Sequence, residues 1–280
     1  MRKLKISIIL LLLAVVSGCS TITQSSEGKQ KQGEATIKKM ARPTLFIHGY
    51  KGTSRSLGPM INRLEKQGVG RNEMTMYVTP DGQVEKEGQL TQQANNPIIH
   101  VVFEDNEKDE WTQSLWIQRL LVTLAQEEQV EEVNVVGHSM GGVSTLRYLM
   151  SGEIEGAARI NELVAIGSPF NEFVETKSME QLKKEMLEGP EELSERMEDI
   201  QEQMTLIPST VRMALIGGQL SDTDLSDGTV PVGSAVAINA GLKKNGNKVS
   251  SYILTGEKVD HSGLHENKQV DEIVINELWK

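Results

Sequence analysis

The stretch that most limits what this chain can fold into is residues 133–142, Val-Asn-Val-Val-Gly-His-Ser-Met-Gly-Gly. A run rich in β-branched residues favours an extended strand. It stops at G-x-S-x-G, and Val143, Leu146 and Met150 then recur at helical spacing. Gly137 and Gly141 lack the Cβ atoms that would collide in so sharp a turn. The spacing therefore predicts a strand-to-helix elbow with the Ser139 hydroxyl at its tip and the free N–H groups of the first helical turn beside it. A glycine-rich turn with an incidental serine would also satisfy the five-residue pattern. The strand before it and the helix after it select the elbow.

The flanking sequence alternates in the same way. Thr44–Ile47 is a short apolar strand ending at His48-Gly49-Tyr50, and Leu57, Met60, Ile61 and Leu64 mark an amphipathic helix. Residues 73–89 alternate about a Pro80-Asp81-Gly82 turn and are expected to form an inserted β-hairpin. Pro97–Phe103 is a core strand in which His100 is a packed residue; a solvated acidic loop and a helix carrying Ile117, Leu120, Leu121 and Leu124 follow. Further strands are expected at 163–166, 211–217 and 250–254, with a last helix presenting Val270, Ile273, Val274 and Leu278. Such alternation implies an α/β fold, a mostly parallel central sheet with helices on both faces. Residues 171–208 interrupt it with two helical stripes rich in Met and Leu on acidic backgrounds. They are expected to form a helical cap, whose methionines would suit adaptable apolar contact.

Taken together, His48-Gly49, Gly137-His138-Ser139-Met140-Gly141, Gly167-Ser168-Pro169, Asp227-Gly228 and the late His261 resemble the α/β-hydrolase superfamily. The phrases Phe46-Ile47-His48-Gly49, Ala165-Ile166-Gly167-Ser168-Pro169-Phe170-Asn171 and Ser226-Asp227-Gly228-Thr229-Val230-Pro231 resemble one subgroup, the surface-associated DUF915 hydrolases of Gram-positive bacteria. The resemblance spans about residues 41–280. It implies a nucleophile, acid and base in the chain order Ser139, Asp227, His261, with the N–H groups of Tyr50 and Met140 as an oxyanion hole. Asp227 is preferred to Asp222 and Asp224 because it alone sits in the phrase resembling the family's acid loop. His261 is preferred to His265, the alternative base, because it comes first after the last strand. Ser168 is excluded as a nucleophile by Pro169, which has no N–H and disfavours the helical conformation before it. With His48, His138 and Phe170, Ser168 is instead assigned to the substrate pocket. The activity implied is that of a carboxylesterase or lipase on short to medium acyl esters, small-molecule or lipid. A peptidase or acyltransferase on the same residues, or a surface lipoprotein that binds without turnover, are the rival expectations. No cofactor is implied.

A net charge of −10 with no basic cluster beyond the first few residues argues against a nucleic-acid partner, since phosphate binding needs Lys/Arg stripes. The absence of H-E-x-x-H or of Cys/His ligand spacing leaves no metal signature. Residues 1–18 read as a signal peptide, basic and then apolar, and Val16-Ser17-Gly18-Cys19 resembles a bacterial lipobox. Cys19, the single cysteine, is thus the expected lipid-attachment residue. Residues 19–40, polar and poor in apolar side chains, are expected to tether the domain to the outer face of a membrane. Oligomeric state is left open by these features.

Overall fold

The computed structural model describes residues 36–280. The expected signal peptide, Cys19 and most of the tether lie outside the described residues. In chain order the elements are β1 (Thr44–Ile47), α1 (Ser54–Lys66), β2 (Arg71–Val78), β3 (Val84–Gly88), β4 (Pro97–Phe103), α2 (Glu110–Glu127), β5 (Glu132–His138) and α3 (Met140–Met150). After these come β6 (Arg159–Ile166), α4 (Met179–Glu188), α5 (Glu195–Gln203), β7 (Arg212–Gln219), α6 (Val232–Val236), α7 (Asn239–Lys244), β8 (Val249–Thr255) and α8 (Lys268–Trp279). The eight strands form one sheet in the order β3-β2-β4-β1-β5-β6-β7-β8. All neighbours are parallel except β2 and β3.

Side-chain alternation assigns the two faces. Leu45, Ile47, Ile99, Val101, Val133, Val135, Leu163, Ala165, Met213 and Leu215 share one buried cluster with α2 and α3. Phe46, Ile98, Val136, Val164, Ala214 and Ile216 share the other with α1 and α8. Both faces are covered, so the central strands are apolar on both sides, as a parallel sheet requires. Among the described residues no helix is long and apolar enough to cross a membrane.

Three features differ from the sequence reading. The expected hairpin is present between α1 and β4 as β2 and β3, but it also extends the main sheet: β2 pairs in parallel with β4, burying Met74, Met76 and Val78, so the two strands form one edge. The segment expected to be tether as far as residue 40 is already held at Lys38, whose N–H donates to the Trp279 carbonyl, and at Met40, whose N–H donates to Asn96 Oδ1. Finally, α4 packs on α6 and α7, and Leu182, Met197, Ile200 and Met204 are buried in the larger core cluster. Those methionines therefore fill the domain's own interior. A buried ion cluster fastens α5: Glu110 binds both Arg147 (2.9 Å) and Arg196 (2.5 Å), and Arg147 also pairs with Asp199. Charges so far from water persist only when paired, so removing one partner would strand the others.

Candidate active site

In a parallel sheet every strand of the ladder ends on the same edge, and the loops there bring distant residues together. At the end of β5, Ser139 has φ 54° and ψ −125°, a conformation rare for a residue with a side chain. Such a conformation costs about 1–3 kcal/mol and persists only when its surroundings impose it. Here the Ser139 N–H donates to the Ile166 carbonyl (2.8 Å), while the Ser139 carbonyl accepts from the Gly142 N–H (3.1 Å). The loop after β1 lies directly against the serine. A Cβ on Gly49 would sit 2.6 Å from Ser139 Cβ and 3.2 Å from its Oγ.

His261 reaches the serine from the loop after β8. Its Nε2 is 2.9 Å from Ser139 Oγ and its Nδ1 is 2.8 Å from Asp227 Oδ2. A carboxylate only accepts, so the ring proton is on Nδ1 and Nε2 is free to accept from the serine hydroxyl. Asp227, buried in the loop after β7, is itself held in place. Its Oδ1 accepts from the N–H groups of Thr229 (2.9 Å) and Val230 (2.6 Å), and its carbonyl accepts from the His261 N–H (2.8 Å). Gly167, with φ +55°, lies under this pair: a Cβ there would be 3.1 Å from Asp227 Oδ2 and 3.4 Å from His261 Nδ1. That constraint was not drawn from the sequence, although the glycine closing β6 marks the position.

The amides assigned to the oxyanion hole are free. Met140 opens α3, so its N–H has no acceptor within the helix. Among the described residues neither it nor the Tyr50 N–H donates to another group. The Gly49–Tyr50 peptide is oriented from behind. His48 Nε2 accepts from the Phe103 N–H (3.0 Å), so its proton is on Nδ1, which donates to the Gly49 carbonyl (2.8 Å). The Gly52 N–H donates to the same carbonyl (3.0 Å). Because C=O and N–H point oppositely across a trans peptide, this leaves the Tyr50 N–H directed away from His48. Burial pushes the His48 imidazole below its ordinary pKa, which keeps Nε2 unprotonated.

The four residues expected to wall a substrate pocket are all buried. Phe170 belongs to the larger core cluster, and Ser168 Oγ is enclosed without a hydrogen-bond partner. His138 Nε2 is 2.9 Å from the His261 carbonyl. These side chains are enclosed beneath the loops of this edge. His265 stands outside the Ser139–His261–Asp227 relay: its ring packs edge-on against His138 at 4.8 Å, and its carbonyl accepts from Arg63 (2.8 Å). What does open beside the acid loop is a cleft of about 920 Å³ whose lining includes Phe173, Thr176, Met179, Leu225, Thr229 and Pro231. Among the described residues no group of acidic, histidine or cysteine side chains is arranged to hold a metal ion.

The elbow, the sheet order and the acid and histidine loops at the same edge define an α/β hydrolase. Residues 30–280 match the family model described as an alpha/beta hydrolase of unknown function, DUF915, and the chain belongs to that family. A solved gene product of Listeria innocua is 28% identical and superposes with a TM-score of 0.77 over 85% of this chain and 95% of its own. A cell surface hydrolase candidate from Lactobacillus plantarum WCFS1 is 20% identical, with a TM-score of 0.64 over 87% of this chain and 91% of its own. The mature form of a Bacillus licheniformis lipase shares the fold at 12% identity, with a TM-score of 0.50 over 88% of this chain and 94% of its own. None of the curated proteins matches the chain.

Proposed function

We propose that the protein is a serine hydrolase that cleaves carboxylic esters of short to medium acyl chains through an acyl-enzyme. The observation that carries this reading is the unbroken relay from Ser139 Oγ to His261 Nε2 (2.9 Å) and from His261 Nδ1 to Asp227 Oδ2 (2.8 Å). His261 takes the serine proton as Oγ adds to the ester carbonyl, and Asp227 holds the tautomer that makes this possible and stabilises the imidazolium. The developing oxyanion is received by the Tyr50 and Met140 N–H groups; losing one such donor costs about 3 kcal/mol in comparable sites. The imidazolium then protonates the departing alcohol, and the same base activates the water that releases the acid. Every step is served by side chains and amides of this chain.

An apolar acyl group is supported by the large exposed side chains on the loops and helix starts of this edge: Tyr50 after β1, Trp111 and Leu115 at the start of α2, Phe173 after β6 and Leu220 after β7. Lipidation at Cys19, as the lipobox-like phrase suggests, would place the enzyme on the outer face of the cell membrane. The test is hydrolysis of p-nitrophenyl esters of graded chain length by the wild type and by Ser139→Ala. Loss of turnover in the variant, with its fold intact, is expected. Equal rates for the two proteins would end the proposal.

A further inference from the structure

The imidazole that faces Ser139 is held by more than its own ring contacts. Its backbone N–H donates to the Asp227 carbonyl (2.8 Å), and its backbone carbonyl lies 2.9 Å from His138 Nε2. A carbonyl only accepts, so His138 carries its proton on Nε2 and is the donor. The His138 ring lies 4.7 Å from the His261 ring, inclined at 44°, and 4.8 Å from the His265 ring, nearly perpendicular at 88°. It is thus wedged between the base and the short turn that leads into α8. Between β8 and His261 the backbone takes positive φ at Gly256 (+106°) and Lys258 (+55°), conformations that persist only when neighbouring contacts hold the loop.

We propose that His138 is a positioning residue for the base, its Nε2–H clamping the His261 carbonyl so that the elbow itself fixes the distance between nucleophile and imidazole. The inference rests on the serine-hydrolase reading above. Residue 138 is one peptide unit from the nucleophile, so the clamp ties the base loop, more than a hundred residues away in sequence, to the backbone that carries Oγ. Without it, the carbonyl side of His261 loses its tie to the elbow. The ring can then drift from the serine while the Asp227 contact persists.

A donor this close to the base must stay uncharged, because a fixed cation there would oppose the imidazolium that forms at His261. Burial, followed by the neighbouring His261 and His265 rings, holds His138 well below the ordinary imidazole range. The titratable groups facing it are those two rings and, less closely, His48. Glu266, 3.5 Å from His265 Nδ1, and Arg63, which is bonded to the His265 carbonyl, stand one layer further out.

The experiment compares wild type, His138→Ala, His138→Gln, His138→Asn and Ser139→Ala on p-nitrophenyl acetate. It resolves kcat from KM between pH 5 and 9 and records each melting temperature. Glutamine presents an amide donor near the position of Nε2, whereas asparagine is too short to reach the carbonyl. The expected result is a kcat roughly tenfold or more below wild type for His138→Ala and His138→Asn, since small misplacements near the chemistry cost this much or more. KM should change little, the apparent pKa of kcat/KM should shift, and His138→Gln should recover most of the rate. Wild-type kcat in the alanine variant, or equal losses in the glutamine and asparagine variants, would overturn the inference. If the alanine variant fails to fold, the glutamine and asparagine pair decides alone. Full activity in Ser139→Ala would instead overturn the reading on which the inference stands.

Discussion

Replacing Asp227 by asparagine should silence the enzyme without disturbing its fold, and the hydrogen bonds say why. Asp227 Oδ1 accepts two backbone N–H groups, from Thr229 and Val230. An amide placed there must turn its oxygen to that side, or bring its own N–H groups against two donors. Its nitrogen then faces His261 Nδ1, the atom now 2.8 Å from Oδ2. The imidazole can meet a donor at Nδ1 only by moving its proton to Nε2, and Nε2 could no longer accept from Ser139. The change keeps size and shape and leaves the Oδ1 bonds in place, so the melting temperature should shift by only a few degrees, the usual effect of a perturbation near 1 kcal/mol. The rate should fall far more, roughly 10⁴-fold in kcat, as when the wrong tautomer is imposed in serine hydrolases with a Ser-His-Asp triad. That is about 5.5 kcal/mol of transition-state stabilisation. Steady-state hydrolysis of p-nitrophenyl acetate measures the rate, and thermal unfolding followed by circular dichroism verifies the fold. A loss of less than about tenfold in a folded variant, equivalent to only some 1.4 kcal/mol, would refute the tautomer argument.

Two other perturbations test the surroundings. Gly167→Ala forces a side chain into φ +55° and sets a Cβ 3.1 Å from Asp227 Oδ2. It should cost about 1–2 kcal/mol of stability and lower kcat at nearly constant KM; unchanged kcat would show that the glycine does not hold the pair in register. On the opposite edge of the sheet, Glu162 is buried and pushed up to about 7, burial outweighing the nearby Arg212. Its folded pKa lies above its unfolded value, so its contribution is fully present below about pH 4.5 and is lost as pH rises through 7. Glu162→Gln should therefore flatten the fall in stability between pH 5 and 8, worth up to about 3 kcal/mol, as read by urea unfolding at the two pH values. An unchanged slope would contradict it.

The elbow could be read directly because its chemistry is local. Gly137, Ser139 and Gly141 occupy one turn, and the strand and helix that frame it carry their own periodicities. The parallel sheet was legible for a similar reason, since strands covered on both faces leave unbroken apolar runs. Asp227 and His261 were reached through chain order and resemblance, and in the structure His261 lies within hydrogen-bond distance of both Ser139 and Asp227. What the sequence hid depends on contacts across the fold. That the hairpin at residues 71–88 also extends the main sheet is decided by β2 pairing with β4, which no alternation pattern encodes. The methionines between residues 179 and 204 have the same spacing whether they face a substrate or a core, and only packing shows that Met197 and Met204 face inward. Helices α6 and α7 escaped notice because five and six residues are too few to show a helical stripe. His48 and His138 were assigned to the substrate pocket, and only the folded contacts show their rings bonded to the Gly49 and His261 carbonyls.

Reaction with a fluorophosphonate, followed by peptide mapping in a mass spectrometer, tests nucleophile activation without knowledge of the natural ester. One covalent adduct, on Ser139, formed rapidly by the wild type and lost in His261→Ala, is the predicted outcome. An adduct on another residue, or equal labelling of Ser139 in both proteins, would contradict the claim that His261 activates this hydroxyl.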